Sequence, residues 1–320
     1  MSTERRLPFA GQVMTVAGPL DPGLLDVVDA HNHIWIADLK DTPPGSPSLT
    51  QRDPILAELI EFRGAGGSAI VDCQPGGCGR DGRQLLQFSR ESKVQVIAST
   101  GFHRDVYYPS RWWLWEAGVD EIAQYFMDEV QQGLQETRDL PEPVKAGLIK
   151  CACESTVGRT PQSALEAVAT VAAELGICVQ VHTEKGADAA AILDFFVRRG
   201  VQPAQLVLCH MDKAPDLKLH RELAGAGVML EYDTFFRPKY EPDLHVWPLI
   251  EQMVSHALDR SIALATDMAE SSMWKYLGGG PGLVGFARGV RTRLEEMHLS
   301  AAAIGMLMGR NIANRLAGVA

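Results

Sequence analysis

Eight short apolar runs, most of them followed by a stretch of helical periodicity, constrain the fold of this chain most strongly. In residues 163–175 and 189–199, for example, apolar side chains recur at the spacing of one helix face. Strands that are separated by helices pair in parallel, because a helical crossover is needed to bring the chain back in the same direction. The predicted strands are residues 26–34, 68–73, 94–101, 145–151, 177–182, 206–211, 228–233 and 261–267.

This alternation predicts an α/β protein, a single (β/α)₈ TIM barrel. The chain has 320 residues, and such barrels reach about 250 residues or more as one domain. Residues 1–320 are therefore expected to form one domain, with a short lead-in over 1–25. A doubly wound open sheet is the alternative, but no Gly-x-Gly-x-x-Gly motif opens a helix after the first strand.

Charge and composition exclude several classes of partner. The net charge of −10 argues against general binding of nucleic acid. The sequence has no run of about 18 apolar residues to span a membrane and no apolar secretion signal near Met1, so a cytoplasmic protein is expected. Most of the six cysteines lie in apolar runs, which is typical of reduced, buried thiols.

Two histidines, His31 and His33, close the first predicted strand. Side chains two residues apart on a strand point to the same face, so the two imidazoles converge as a divalent metal requires. Further candidate ligands stand at the ends of later strands, which in a barrel open on the catalytic face. They are Lys150, His182, His210 and Asp267.

These six residues can be divided between two metal ions. His31, His33 and Asp267 suit one ion, and His182 and His210 suit the other. A bridge between the ions is needed, and an ammonium group cannot provide it because it has no lone pair. A neutral Lys150 could bind only one ion. The residues alone therefore leave the bridge open.

The sequence resembles the phosphotriesterase-like branch of the amidohydrolase superfamily over nearly its whole length. Besides the two histidines, the resemblance is carried by Cys78-Gly79-Arg80-Asp81, Ser99-Thr100-Gly101-Phe102, Gly147-Leu148-Ile149-Lys150, His182-Thr183-Glu184, His210-Met211-Asp212, Glu231-Tyr232-Asp233, Thr266-Asp267 and the closing segment 309–316.

The resemblance implies a binuclear hydrolase and supplies the missing bridge. It implies that Lys150 is carboxylated by CO₂ to N6-carboxylysine, whose anionic group joins the two ions. It also implies that Asp267 is both a ligand and the catalytic acid/base, serving a hydroxide that bridges the metals. The expected cofactors are two divalent ions, with Zn²⁺ favoured and Mn²⁺, Co²⁺ or Fe²⁺ also compatible. The expected partner is a small-molecule substrate, and the resemblance is also compatible with a homodimer.

Within that family the loops are similar to those of lactonases for phosphorylated sugar lactones. The similarity lies in His210-Met211-Asp212-Lys213-Ala214-Pro215-Asp216, Arg237-Pro238-Lys239-Tyr240 and Gly278-Gly279-Gly280-Pro281-Gly282. At the two positions where that subgroup binds phosphate with Arg and Tyr, this chain has Glu270 and Met273. We therefore predict that a phosphorylated lactone is not the preferred substrate. The predicted substrate-binding residues are His103, Lys213, Arg237, Lys239, Tyr240 and Glu270.

Several alternatives stay open. Lys213 and Lys239 either bind an anionic group or pair with Glu270, which would leave a pocket for neutral or zwitterionic substrates. A phosphoester or amide hydrolase could use the same scaffold. A non-catalytic binding protein is the third alternative, although a binder has no need of Lys150 with Asp267. The segments 40–54 and 104–116 are predicted to be functional loops, and the alternative for the aromatic-rich 104–116 is a helix whose aromatic side chains pack on the barrel wall. The four histidines in polar contexts (His220, His245, His256 and His298) are predicted to be surface residues.

Overall fold

A barrel of parallel strands forms the centre of the protein. The structure, a computed structural model, describes residues 9, 11–43 and 45–319, so residues 1–8 and 10 of the predicted lead-in lie outside the described residues. The strands are β1 (Val13–Thr15), β2 (Gly18–Leu20), β3 (Val28–Asn32), β4 (Ala69–Asp72), β5 (Gln95–Gly101), β6 (Leu148–Ala152), β7 (Val179–His182), β8 (Leu206–Leu208), β9 (Met229–Tyr232) and β10 (Ile262–Leu264).

Strands β3 to β10 form one sheet in chain order, with every neighbouring pair parallel. The two ends of the sheet meet where the Asp267 amide donates a hydrogen bond of 2.9 Å to the His31 carbonyl. Thr266 bonds the buried carboxylate of Asp29 beside this junction through both its amide and its hydroxyl. The TIM barrel prediction is confirmed, and each of its eight predicted strands overlaps one of β3 to β10.

Helices follow the strands and cover the outside of the barrel. Helix α4 is apolar on most of its surface because it packs against the barrel wall and α3. The helices are α1 (Arg52–Gly64), α2 (Gly82–Ser92), α3 (Val119–Gln131), α4 (Gln162–Leu175), α5 (Ala189–Arg198), α6 (Leu217–Gly225), α7 (Val246–Ser255), α8 (Gly282–Val284), α9 (Arg291–Glu296), α10 (Ala301–Gly305) and α11 (Asn311–Ala317).

An antiparallel hairpin of β1 and β2 precedes the barrel and was not predicted. Its strands have three residues each, too few for an alternating pattern to be visible. Val13 packs with Leu25 and with residues of α11 in an apolar cluster that also includes the first residues of several barrel strands. The hairpin therefore covers the end of the barrel opposite to the strand carboxyl ends.

The cysteines agree with the expectation from composition. All six cysteines are buried free thiols. Among the described helices, none combines the length and the apolar character that crossing a bilayer would require.

One of the four histidines predicted to be at the surface is instead buried. His220 on α6 lies against β9, where its Nδ1 is 2.8 Å from the Tyr232 hydroxyl. The prediction failed because Lys218, Arg221 and Glu222 surround His220 in the sequence, so the inward-facing position was not recognised. Burial lowers the pKa of His220 from 6.5 to about 4.

We expect this buried imidazole to make the protein less stable in acid. Its folded pKa lies below the unfolded value, so the unfolded chain takes up the extra proton and stability is lost as the pH falls below 6.5. Between pH 7.5 and pH 5 this loss should be about 2 kcal/mol. Urea unfolding of His220→Gln should show a pH dependence smaller by that amount, whereas the exposed-site control His256→Gln should match the wild type.

Candidate metal centre

Six side chains from five strands meet at the carboxyl end of the barrel. His31 lies in β3 and His33 directly follows it, while Lys150 and His182 lie in β6 and β7. His210 and Asp267 follow β8 and β10, and both have positive φ, 62° and 50°. These turns direct the two side chains into the barrel mouth. The six residues predicted from the sequence as ligands are therefore brought together.

His31, His33 and Asp267 form one group. The Asp267 Oδ1 atom lies 3.7 Å from His31 Nε2 and 3.6 Å from His33 Nε2. The two imidazole centroids are 5.3 Å apart. Three ligand atoms from these residues could hold one ion.

His182 and His210 form the second group. The His182 Nδ1 atom is 2.8 Å from His210 Nε2, and the rings are nearly perpendicular. The centroid of His210 is 5.1 Å from that of His31, so the two groups are adjacent. A cation between the two facing nitrogens would replace the contact that they now make with each other.

Lys150 lies between the groups and is fully buried. Its Nζ atom is 3.2 Å from His31 Nε2 and 3.5 Å from the Cys209 sulfur. A charged ammonium is rarely buried without a carboxylate in contact, and within the described residues no carboxylate oxygen lies within 4 Å of this one. The Lys150 amine therefore contacts an imidazole nitrogen and a thiol instead of an ion-pair partner.

The other ring nitrogen of three histidines contacts an acceptor. His31 Nδ1 is 2.8 Å from Glu231 Oε1, His33 Nδ1 is 2.7 Å from Gln74 Oε1, and His210 Nδ1 contacts Asp233. Such partners hold the proton on Nδ1 and leave the Nε2 lone pair free to bind a metal. The sequence analysis did not predict Glu231 or Gln74 in these roles. The signal available was a charged residue inside the otherwise apolar β9.

Burial keeps the imidazoles of His31 and His210 neutral. It lowers the pKa of His31 and of His210 well below 6.5, because the charged form would lose its hydration. A neutral imidazole has a free lone pair, so both are in the form that binds a metal.

Two cations face the carboxylate of Asp267. Its Oδ2 atom is 3.6 Å from Lys213 Nζ and 3.1 Å from Arg237 Nη2. Burial alone would raise the pKa of Asp267, but Lys213 and the neighbouring imidazoles outweigh it and hold the pKa well below 3.8. Asp267 is therefore an ionised carboxylate at neutral pH.

The donor set fits divalent metal ions. Tetrahedral coordination with bonds near 2.1 Å puts ligand atoms about 3.4 Å apart, close to the 3.6 and 3.7 Å between Asp267 and the two histidines. His31, His210, Glu231 and Asp233 also form a compact cluster. However, its carboxylates contact the Nδ1 side of the imidazoles, so we assign Glu231 and Asp233 to orienting the rings.

A cavity of about 350 Å³ opens above this centre, a size suited to a small molecule. Five of the six predicted substrate-binding residues line it, and Tyr240 does not; the Tyr240 ring instead faces the ammonium groups of Lys213 and Lys239. Met273 is buried away from the cavity. The lining residues from the predicted set are His103, Lys213, Arg237, Lys239 and Glu270.

Lys213 does not pair with Glu270. Its ammonium group lies 3.7 Å from Asp233 and 3.6 Å from Asp267. Among the residues described, neither Lys239 nor Glu270 has an ion-pair partner within 4 Å. The cavity therefore presents one lysine and one glutamate whose charges are free to meet a ligand.

Two further lining residues, Arg104 and Glu184, belong to an ion-pair cluster that the sequence analysis did not predict. Arg104 lies 3.3 Å from Glu154 and 3.2 Å from Glu184. Glu184 in turn is 3.4 Å from His182 Nε2, which makes it an orienting partner for that ring. The aromatic segment contributes Tyr107 to the lining, in edge contact with His103.

Comparison with known proteins gives consistent matches. A sequence profile of the Phosphotriesterase family matches residues 11–282. A phospho-furanose lactonase of Mycoplasmopsis synoviae is 29% identical, over 79% of this chain and 75% of its own length. An N-acetyltaurine hydrolase of Xenopus tropicalis is 26% identical, over 71% of this chain and 72% of its own. The crystal structure of an amidohydrolase from Mycoplasma synoviae superposes with a TM-score of 0.86 at 26% identity, covering 98% of this chain and 92% of that one.

Proposed function

Because the chain belongs to the phosphotriesterase family and is a hydrolase of the amidohydrolase type, we propose that it is a lactonase or carboxylic ester hydrolase that uses two divalent metal ions. The observation that carries the proposal is the meeting of six ligand-type side chains from five strands beneath one cavity. A binding protein without catalysis would not need Lys150 and Asp267 at the same point.

In this proposal His31, His33 and Asp267 hold one ion, and His182 and His210 hold the other. Carboxylation of the Lys150 amine by CO₂, which forms an N–C bond and releases a proton, would give an anionic carbamate that could help these side chains to hold both ions. Imidazole and carboxylate ligands suit Zn²⁺, and they also accept Mn²⁺, Co²⁺ or Fe²⁺. When bound, such ions acidify a water molecule and polarise the oxygen of the bond under attack.

Asp267 has the position and charge of a general base. Its carboxylate is ionised, faces the cavity and lies beside His33. It can take a proton from the attacking water and return it to the leaving oxygen. Lys213 and Arg237 contact its Oδ2 atom and keep the carboxylate pointing into the mouth of the barrel.

Charges in the cavity support a substrate without a phosphate group. Lys239 favours an anionic group, whereas Glu270 on the same cavity wall repels one. A phosphate carries more negative charge than a carboxylate or a polar hydroxyl, so Glu270 penalises it most. We therefore keep the prediction that an unphosphorylated lactone or ester is preferred.

Amide hydrolysis is the second candidate. The relative named N-acetyltaurine hydrolase supports it, since the same type of centre can attack an amide carbonyl. Phosphoester hydrolysis is less favoured, because the Glu270 carboxylate that lines the cavity repels a phosphate group.

The test is metal analysis followed by a hydrolysis panel. The protein, stripped with a chelator and reloaded with Zn²⁺ in bicarbonate buffer, should hold about two equivalents of metal per chain. It should then hydrolyse unphosphorylated lactones with a higher kcat/KM than their phosphorylated counterparts, phosphotriesters or N-acyl amino acids. Glu270→Gln should raise the relative kcat/KM for phosphorylated lactones by about tenfold, as expected when one repulsive charge is removed.

Each contrary result has a defined meaning. Highest turnover of N-acyl amino acids would replace the lactonase proposal by the amide hydrolase. Faster turnover of phosphorylated lactones by the wild type would contradict the role given to Glu270. Protein that binds no metal and hydrolyses nothing would overturn the proposal as a whole.

A further inference from the structure

The side-chain amide of Gln74 can have only one orientation. Its Nε2 group donates to the Cys78 carbonyl and, at 3.3 Å, to the Cys78 sulfur. A carbonyl can only accept, so the nitrogen end of the amide must face Cys78. The oxygen end then faces His33, whose Nδ1 is 2.7 Å away and must donate. The proton of His33 is therefore on Nδ1, and the Nε2 lone pair points towards Asp267.

We propose that Gln74 is a positioning residue, which fixes the tautomer and the ring orientation of His33 so that Nε2 can bind a metal ion. The proposal rests on the function proposed above. Acceptors that hold the second nitrogen of a ligating histidine typically change metal affinity by about 10- to 100-fold. For His31 and His210 that acceptor is a carboxylate, whereas for His33 it is a neutral amide with an orientation set by the backbone.

A rigid turn holds the carbonyl that orients Gln74. Within the segment Pro75–Cys78, the Cys78 thiol donates to the Pro75 carbonyl at 3.1 Å. Gly77 has φ of +85°, and a Cβ atom there would lie 2.2 Å from Trp112 Cζ2. Only glycine fits this position, because it tolerates the positive φ and leaves room for the indole.

This contact gives the aromatic segment a role that its sequence left undecided. Trp112 lies against Gly77, and the Tyr125 hydroxyl would be 2.4 Å from a Cβ atom on Gly76. Trp112 and Tyr125 thus pack against the two glycines of this turn. The turn positions the Cys78 carbonyl, and this carbonyl orients the side-chain amide of Gln74.

The decisive measurement is the Zn²⁺ affinity of full-length variants, determined by competition with a chromophoric chelator. The unfolding temperature of each metal-free variant is measured as well. Gln74→Leu removes the acceptor with little change in volume and should weaken the affinity by about 10- to 100-fold. Gln74→Glu keeps an acceptor for His33 but loses the donor that faces the Cys78 carbonyl, so its affinity should lie between those of the wild type and Gln74→Leu. The control is Gln205→Leu, because Gln205 is also buried and bonds two backbone carbonyls, those of Ala172 and Ile177. It should lower the unfolding temperature without changing metal affinity.

A second pair of variants tests the turn. Gly77→Ala should weaken Zn²⁺ binding in the same direction as Gln74→Leu, because the new methyl group meets Trp112. Gly66→Ala is matched for backbone strain, with φ of +99° and no atom within 4 Å of its Cβ position, and should bind Zn²⁺ like the wild type.

The outcomes separate this proposal from the one on which it rests. Wild-type protein that binds no Zn²⁺ would overturn the proposed function and with it the role of Gln74. Wild-type protein that binds Zn²⁺ while Gln74→Leu binds it equally well would overturn only the positioning role. Equal weakening in Gln74→Leu and Gln74→Glu would also overturn it, since the acceptor would then not be what matters.

Discussion

Replacing Lys150 with methionine is expected to remove metal-dependent hydrolysis, with a fall in kcat/KM of at least about 10³-fold, as for loss of a group on which a metal centre depends. Methionine has a similar volume and suits the buried position, so the barrel should still fold. Metal content should fall below two equivalents, because Lys150 is the proposed bridge between the two groups of histidines and methionine offers no anionic oxygen in its place.

Bicarbonate provides an independent readout for the same residue. Wild-type protein reconstituted with ¹³C-bicarbonate should show a carbamate resonance in the NMR spectrum, and Lys150→Met should lack it. Lys218→Met is the control, because the Lys218 side chain is 88% exposed on α6 and should leave metal content and activity unchanged. A Lys150→Met variant that keeps two metals and wild-type activity would exclude a carbamate bridge.

The barrel was predictable from the sequence because each strand is a short apolar run between helical segments, and parallel strands need such crossovers. The placement of the candidate ligands followed from the same logic. His182 ends β7, and Lys150 lies near the end of β6, so the direction of the strands alone brings them to one mouth. The bridging role of Lys150, by contrast, came from resemblance, since nothing in a lysine side chain indicates carboxylation.

Contacts between distant elements were not predictable. Gln74 and Glu231 bind imidazoles 41 and 200 residues away along the chain, and no local pattern encodes such pairs. The burial of His220 was not predicted for a related reason: the packing partner of a helix decides which of its faces turns inward. Local periodicity therefore predicted the scaffold, whereas the side chains that orient the ligands became visible only in the structure.

Replacing Asp267 with asparagine is expected to lower kcat by about 10²- to 10⁴-fold, the range for loss of a general acid/base. Asparagine suits the test because it has nearly the same shape and tolerates the positive φ of 50° at this position, which most residues do not. The variant should therefore fold with its loop in place; Arg237 would lose the Asp267 carboxylate as a partner, whereas Lys213 would keep that of Asp233. Asp41→Asn, at an exposed position with φ of 65°, is the matched control for the same change in charge.

Excess metal separates the two roles of Asp267. If the carboxylate only holds an ion, saturating Zn²⁺ should restore the activity of Asp267→Asn, because the remaining histidines would still bind the metal under mass action. If it also moves the proton, the fully loaded variant should stay slow, because an amide cannot accept a proton at neutral pH. We expect the second result, since the ionised carboxylate of Asp267 lies beside two candidate ligands, His31 and His33, and faces the cavity. Activity within tenfold of the wild type at full metal loading would remove Asp267 from the chemistry.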